Sequence, residues 1–180
     1  VMEGKSVLFK RFADIDSIDV EVNTTDAEDF IRTVRNIGDT WGGINLEDIG
    51  SPDCFIIESR LREELDIPVF HDDQHGTAIV VGAAFLNGLK VLGKDINNTK
   101  LVVSGAGAAA LACLALLVKL GLPRKNIWVT DLAGLVYEGR TELMDADKIQ
   151  FAQPTSQRTL AEAIKGADAF LGLSAGGVLK

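Results

Sequence analysis

Cysteine, proline, tyrosine and histidine are all scarce in this chain: two, four, one and two of them in 180 residues. Two cysteines cannot build a disulfide framework. Cys54 and Cys113 lie among apolar residues at helical spacing, so they read as small buried hydrophobes in a reducing, cytoplasmic setting. No Cys/His spacing suggests zinc. No apolar run reaches the roughly 18 uncharged residues of a membrane span, so no membrane partner is expected. Val1-Met2-Glu3-Gly4-Lys5 lacks the basic start and long apolar stretch of a signal peptide. The ends at Val1 and Lys180 read as those of an excerpt from a longer polypeptide. The net charge of −8 comes without a basic patch, which argues against nucleic acid.

The apolar share of 47% and charged share of 24% are those of a globular chain. Ser6–Phe12 and Ile18–Val22 are predicted strands. Thr25-Asp26-Ala27-Glu28 reads as a capping box opening a helix whose apolar face is Phe30, Ile31, Val34 and Ile37, ended by Gly38. A short strand through Gly43–Leu46 follows, then a helix opened by Ser51-Pro52. Cys54, Ile57, Leu61 and Leu65 form its apolar side, with Glu58 and Arg62 one turn apart on the wet side. Ile67–Phe70 is a strand ended by His71-Asp72-Asp73. Gly76–Leu92 is apolar or small throughout, which predicts a buried helix.

Strand and helix then alternate: strand Lys100–Ser104, helix Ala106–Leu120 stopped by Gly121, strand Asn126–Thr130, helix Thr159–Lys165 and strand Ala167–Leu173. That order predicts an α/β fold with a parallel sheet covered on both faces.

Ser104 runs into Gly105-Ala106-Gly107-Ala108-Ala109-Ala110, a G-x-G-x-x-A turn between strand and helix. Gly105 permits the tight turn, Gly107 lets the backbone approach a pyrophosphate, and Ala110 lets the helix pack closely on the sheet. The helix N-terminus offers N–H groups to the phosphates. Asp131, ending the next strand, is placed to accept from the adenosine ribose hydroxyls. Leu132 and Ala133 supply no cation beside it, a lean towards NAD over NADP. Ser174-Ala175-Gly176-Gly177 is small enough to lie against the cofactor, and a plain turn is the other reading.

Glu47-Asp48 and Asp72-Asp73 each follow a strand, which would bring four carboxylates to one sheet edge. A divalent cation, a lysine or protons must neutralise such a group. Oxygen-only ligands favour Mg²⁺ or Mn²⁺. Solvated acids at strand ends are the alternative. His71 and His75 are left outside the metal shell.

The stretch Asn45-Leu46-Glu47-Asp48-Ile49, followed by Ile67–Ala78, resembles malic enzymes of the bacterial type. The likeness continues through Ser104–Gly107 and Leu171–Gly177, and so covers almost the whole chain. It implies oxidative decarboxylation of malate to pyruvate and CO₂ with NAD or NADP and Mg²⁺ or Mn²⁺. A malolactic-type enzyme and a non-catalytic dinucleotide-binding module are the rival readings. By the resemblance Glu47, Asp48 and Asp73 are metal ligands, Lys5 in Met2-Glu3-Gly4-Lys5 is the general base, and Asp72 orients that lysine.

Residues 1–71 would be part of the smaller α/β catalytic (malic) domain, and 72–180 an incomplete Rossmann-like NAD(P)-binding domain. A homo-oligomer is implied. The family's acid tyrosine and substrate arginine have no counterpart here. Tyr137, beside an apparent surface turn Glu138-Gly139-Arg140, does not replace the tyrosine, so residues 1–180 alone are expected to be inactive.

Overall fold

In a computed structural model, which describes residues 1–50 and 52–179, the chain divides into two units, Val1–His71 and Asp72–Lys180. The first unit opens with helix α1 (Met2–Ala13), not a strand. A run as short as Val7-Leu8-Phe9 cannot separate helix from strand by periodicity. Here Lys10 pairs with Asp14 at 2.7 Å across one turn, and Asp14 ends the helix in the left-handed region at φ 54°. Ile18–Val22 alternates as a strand should, yet forms no regular element. A strand needs a neighbour to take up its backbone groups, and none pairs with this segment among the described residues.

Helix α2 (Ala27–Ile37) is capped one residue later than predicted. The Asp26 carboxylate, not the Thr25 hydroxyl, accepts from the Asp29 N–H at 2.7 Å. Ile31 and Val34 are its buried residues. Helix α3 (Asp53–Glu64) follows, and the expected Ser51 cap lies outside the described residues. Cys54, Ile57 and Leu61 are buried as expected, but so is Glu58, which is not on the wet side. Its carboxylate accepts the His71 backbone N–H at 3.3 Å and so ties α3 to the neighbouring strand. Strands β1 (Ile44–Leu46) and β2 (Val69–His71) pair in parallel, Leu46 opposite His71. Ile31, Val34, Leu46, Ile57, Leu61 and Val69 form this unit's core.

The second unit begins with helix α4 (Asp72–Leu92), four residues before the predicted start. It is not buried all round: Ile79, Val80 and Val91 are exposed by more than half. Among the described residues α4 is the one helix with the length and composition of a membrane span. Its inner side packs on helix α5 (Ala108–Lys119). A side chain at Gly82 would come within 3.2 Å of Leu116 and 3.3 Å of Leu120, so glycine there permits the close approach.

Strands β3 (Leu101–Ser104), β4 (Ile127–Asp131), β5 (Gly134–Leu135) and β6 (Ala169–Gly172) form one sheet in the order β5-β4-β3-β6. β3 pairs in parallel with β4 and β6, and β5 is an antiparallel edge that the sequence did not announce. Leu101 and Val103 face the core shared with α5, while Val102 faces Ala163 of the short helix α6 (Leu160–Ala163). Both faces are therefore covered, as strands apolar on both sides require. Helix α5 ends in a paired cap: the Leu122 N–H bonds the Leu117 carbonyl at 3.0 Å and the Gly121 N–H that of Val118 at 3.1 Å. Gly121 takes φ 111°, a conformation costly for any other residue, and Pro123 follows.

Candidate dinucleotide and metal sites

The parallel strands of the second unit all end at one edge, where open α/β sheets bind ligands. At the end of β3, Gly105 turns with φ 115° and its N–H bonds the Thr130 carbonyl at 2.8 Å. A Cβ at Gly105 would collide with the Leu173 carbonyl oxygen, so this position has no room for a side chain. Gly107 differs, because a Cβ there would meet nothing within 4 Å. It would project into open space beside the first turn of α5, the space a pyrophosphate needs. Ala108 and Ala109 lie in that first turn, and Ala110 is buried beneath it at 1% exposure, as close helix–sheet packing demands.

The loop after β6 closes the other side. Leu173 N–H bonds the Ser104 carbonyl, and the Ser104 and Ser174 hydroxyls lie 2.8 Å apart. A cavity of about 630 Å³ opens there, lined by Ser104, Ala109, Phe170, Leu173, Ser174 and Ala175 among others. That volume suits a small-molecule or cofactor site.

Asp131 is where the sequence placed it, at the end of β4, but its surroundings are not. Arg140 Nη2 donates to both carboxylate oxygens at 2.6 Å, Lys148 Nζ stands 3.3 Å from Oδ2, and the Ala133 N–H donates to Oδ1 at 2.9 Å. Glu138-Gly139-Arg140 is thus no plain surface turn, since the Arg140 side chain is only 2% exposed. Its remaining donors hold the carbonyls of Gly134, Leu135 and Glu142. The absence of a cation at Leu132 and Ala133 was therefore misleading. Two cations reach Asp131 from nine and seventeen residues downstream, which removes the charge argument for NAD.

In the first unit, Lys5 Nζ on α1 lies 3.1 Å from Glu47 Oε2, with the Glu47 side chain 5% exposed. Asn45 Nδ2 donates to the same oxygen at 2.9 Å. Asp48 follows in the left-handed region at φ 54°, which aspartate tolerates better than most residues. In the second unit, Asp72 and Asp73 form the first turn of α4, where the helix dipole favours negative charge. A Cβ at Gly76 would strike the Asp72 carboxylate, so Gly76 makes the room that Asp72 occupies. Within each unit the acidic side chains offer oxygen ligands, which suit a hard divalent cation and not zinc. His71 is buried with both ring nitrogens unpaired to any described group.

A strand, glycine turn and helix joined to a parallel sheet define a Rossmann-type dinucleotide-binding unit. The chain matches the family described as malic enzyme, NAD binding domain, over residues 74–178. It is 61% identical to the NAD-dependent malic enzyme of Rhizobium meliloti (strain 1021) over 100% of this chain and 23% of that protein. It is 58% identical to the NADP-dependent malic enzyme of the same organism, over 99% of this chain and 24% of the relative. Among solved structures, the NAD-dependent malic enzyme of Thermotoga maritima superposes with a TM-score of 0.91 at 44% identity, over 99% of this chain and 48% of that one. The chain belongs to the malic enzyme family. It spans about a quarter of the two Rhizobium relatives' length.

Proposed function

We propose that the full-length protein oxidises malate and releases CO₂ to give pyruvate, reducing NAD or NADP with the help of Mg²⁺ or Mn²⁺. Family membership supports the reaction, and the Lys5–Glu47 pair beside Asp48 is the observation that carries the reading to residues of this chain. Residues 1–71 belong to the catalytic domain and 72–180 to the dinucleotide domain, a reading supported by the division of the chain at His71 and the family match beginning at residue 74.

Glu47, Asp48 and Asp73 would hold the cation. When bound, the cation supplies Lewis-acid polarisation at the malate C2 oxygen and the dinucleotide supplies the hydride acceptor. In its neutral amine form Lys5 would take the C2 hydroxyl proton as C2 gives up its hydride to the dinucleotide. Asp72 orients Lys5, and Glu47 holds the lysine's Nζ in place through Oε2. Gly105, Ala106, Gly107 and the first turn of α5 (Ala108, Ala109, Ala110) cradle the pyrophosphate. Asp131 takes the adenosine ribose, and Ser174 and Ala175 flank the other half of the cofactor. The apolar residues exposed on α1 (Val7, Leu8, Phe12) and α4 support a homo-oligomer. Two buried, unpaired cysteines support a cytoplasmic setting. Residues 1–180 by themselves would lack turnover for want of the acid tyrosine and the substrate arginine.

The test is malate-dependent NAD(P)H formation by the full-length protein with Mn²⁺, coupled to product analysis. Pyruvate in step with NAD(P)H supports the assignment. Lactate without net oxidation would make it malolactic, and dinucleotide binding without turnover would leave a binding module.

A further inference from the structure

The buried end of β3 carries a hydroxyl whose role no glycine motif announces. Ser104 is 4% exposed, its Oγ lies 2.8 Å from that of Ser174, and Ser174 stands at the exposed mouth of the cavity. A hydroxyl has one hydrogen to give and two lone pairs. Between two hydroxyls only one hydrogen lies on the line joining them, and the other must point elsewhere. Solvent reaches Ser174 freely and Ser104 scarcely at all, so the buried hydroxyl gains most by spending its hydrogen on its partner. The Ser174 hydrogen is then turned away from Ser104.

The backbone makes this arrangement rigid. The Leu173 N–H bonds the Ser104 carbonyl at 2.8 Å, and Ser104 stands opposite Gly172 in the β3–β6 register. The missing Cβ of Gly105 lets the Leu173 carbonyl lie directly against the turn. The glycine turn and the loop after β6 are thereby fastened to each other before any ligand arrives, which lowers the ordering cost of binding.

We propose that Ser104 is a positioning residue that makes Ser174 a hydrogen-bond donor to an oxygen of the bound dinucleotide. The inference rests on the dinucleotide reading above. It differs from the expected role of Ser174 in making the effect of that residue depend on Ser104, a strand residue outside the glycine motif.

A double-mutant cycle in the full-length protein tests it, with NADH affinity read by fluorescence titration and thermal melting followed in parallel. Ser174→Ala is expected to weaken NADH binding about tenfold, the scale of one hydrogen bond to a charged or strongly polar group. Ser104→Ala should weaken it by about threefold to tenfold, and the double variant no more than Ser174→Ala alone. The KM for the dinucleotide should rise in the same ratio, with kcat at saturating cofactor reduced less than twofold. Additive losses would overturn the proposal, as would a Ser104→Ala effect that persists undiminished when Ser174 is already alanine. A parent protein that fails to bind NADH would overturn the dinucleotide reading and the positioning role with it. If Ser104→Ala lowers the melting temperature, Ser104→Cys provides the second variant, a near-isosteric but weak donor. It should retain the fold and show the same loss of NADH affinity, and parent-like affinity in it would refute the donor role.

Discussion

Arg140 Nη2 lies 2.6 Å from both oxygens of Asp131, and the same guanidinium grips the carbonyls of Gly134, Leu135 and Glu142. With the Ala133 N–H and Lys148 Nζ added, the Asp131 carboxylate has all four of its lone-pair positions occupied. Arg140 is fixed by its other bonds. Lys148, its side chain 15% exposed, is otherwise bonded among the described residues to the Leu143 carbonyl and lies near Asp145, so it is the partner that the proposed ribose would displace. If Asp131 takes the adenosine ribose as proposed, Lys148 Nζ, 3.3 Å from its Oδ2, would lie near the ribose hydroxyls. Lys148→Gln is therefore expected to lower kcat/KM for NADP about tenfold more than for NAD, a difference of ~1.4 kcal/mol. Equal losses with both cofactors would show that Lys148 does not sense the 2′ substituent.

Lys5→Ala in the full-length protein should reduce kcat by roughly a hundredfold or more, the scale for losing a positioned acid or base. Steady-state kinetics decide this. A kcat near that of the parent would reduce Lys5 to a neutralising charge for Glu47.

Asp73→Asn keeps the shape of the first turn of α4 while removing one negative oxygen from the proposed ligand set. Manganese affinity, followed by the EPR signal of the free ion, should fall steeply with the melting temperature little changed. An unaltered Mn²⁺ titration would remove Asp73 from the metal site.

The two glycines of the turn should respond differently to alanine. Gly105→Ala meets both a φ of 115° and the Leu173 carbonyl, so it should cost on the order of 1–3 kcal/mol of stability as well as NADH binding. Gly107→Ala meets no protein atom within 4 Å, so it should leave the melting temperature nearly unchanged and weaken NADH binding alone. Equal melting temperatures for the two variants would contradict the geometry.

Burial pushes the Cys113 thiol up to about 11 from an ordinary value of 9.0. At pH 8 it stays protonated, so the native protein should alkylate at Cys113 far more slowly than the unfolded chain. Between the unfolded and folded values the native state binds more protons. The contribution of this group to stability is therefore full below about pH 9 and is lost as pH rises towards 11. Denaturant melts at pH 8 and pH 10.5 should show a steeper loss of stability in the parent than in Cys113→Ala, where buried Cys54 still contributes a slope of the same sign.

The dinucleotide half of the chain was legible because its signals are short-ranged. Strand, glycine turn and helix end lie within twenty residues of one another, and each obeys a local steric rule at Gly105, Gly107 and Gly121. The acidic pairs at strand ends were visible for the same reason. Local pattern failed where a segment's state depended on distant partners. The apolar run in α1 satisfied either period, and Ile18–Val22 alternated correctly without finding a strand to pair with.

By itself, then, the sequence determined the α/β class, the order of most elements from α2 onward and the glycine turn after β3, all of which follow from periodicity and glycine sterics over a few residues. Tertiary structure alone decided that Arg140 and Lys148 would neutralise Asp131, that Glu58 would be buried under β2, and that Ser104 would meet Ser174 seventy residues away. Charge and hydrogen-bond pairing fall off within a few ångströms but ignore separation along the chain. Only the folded chain, which sets β3 beside β4 and β6 in one unit and α3 against β2 in the other, determines which of these groups meet.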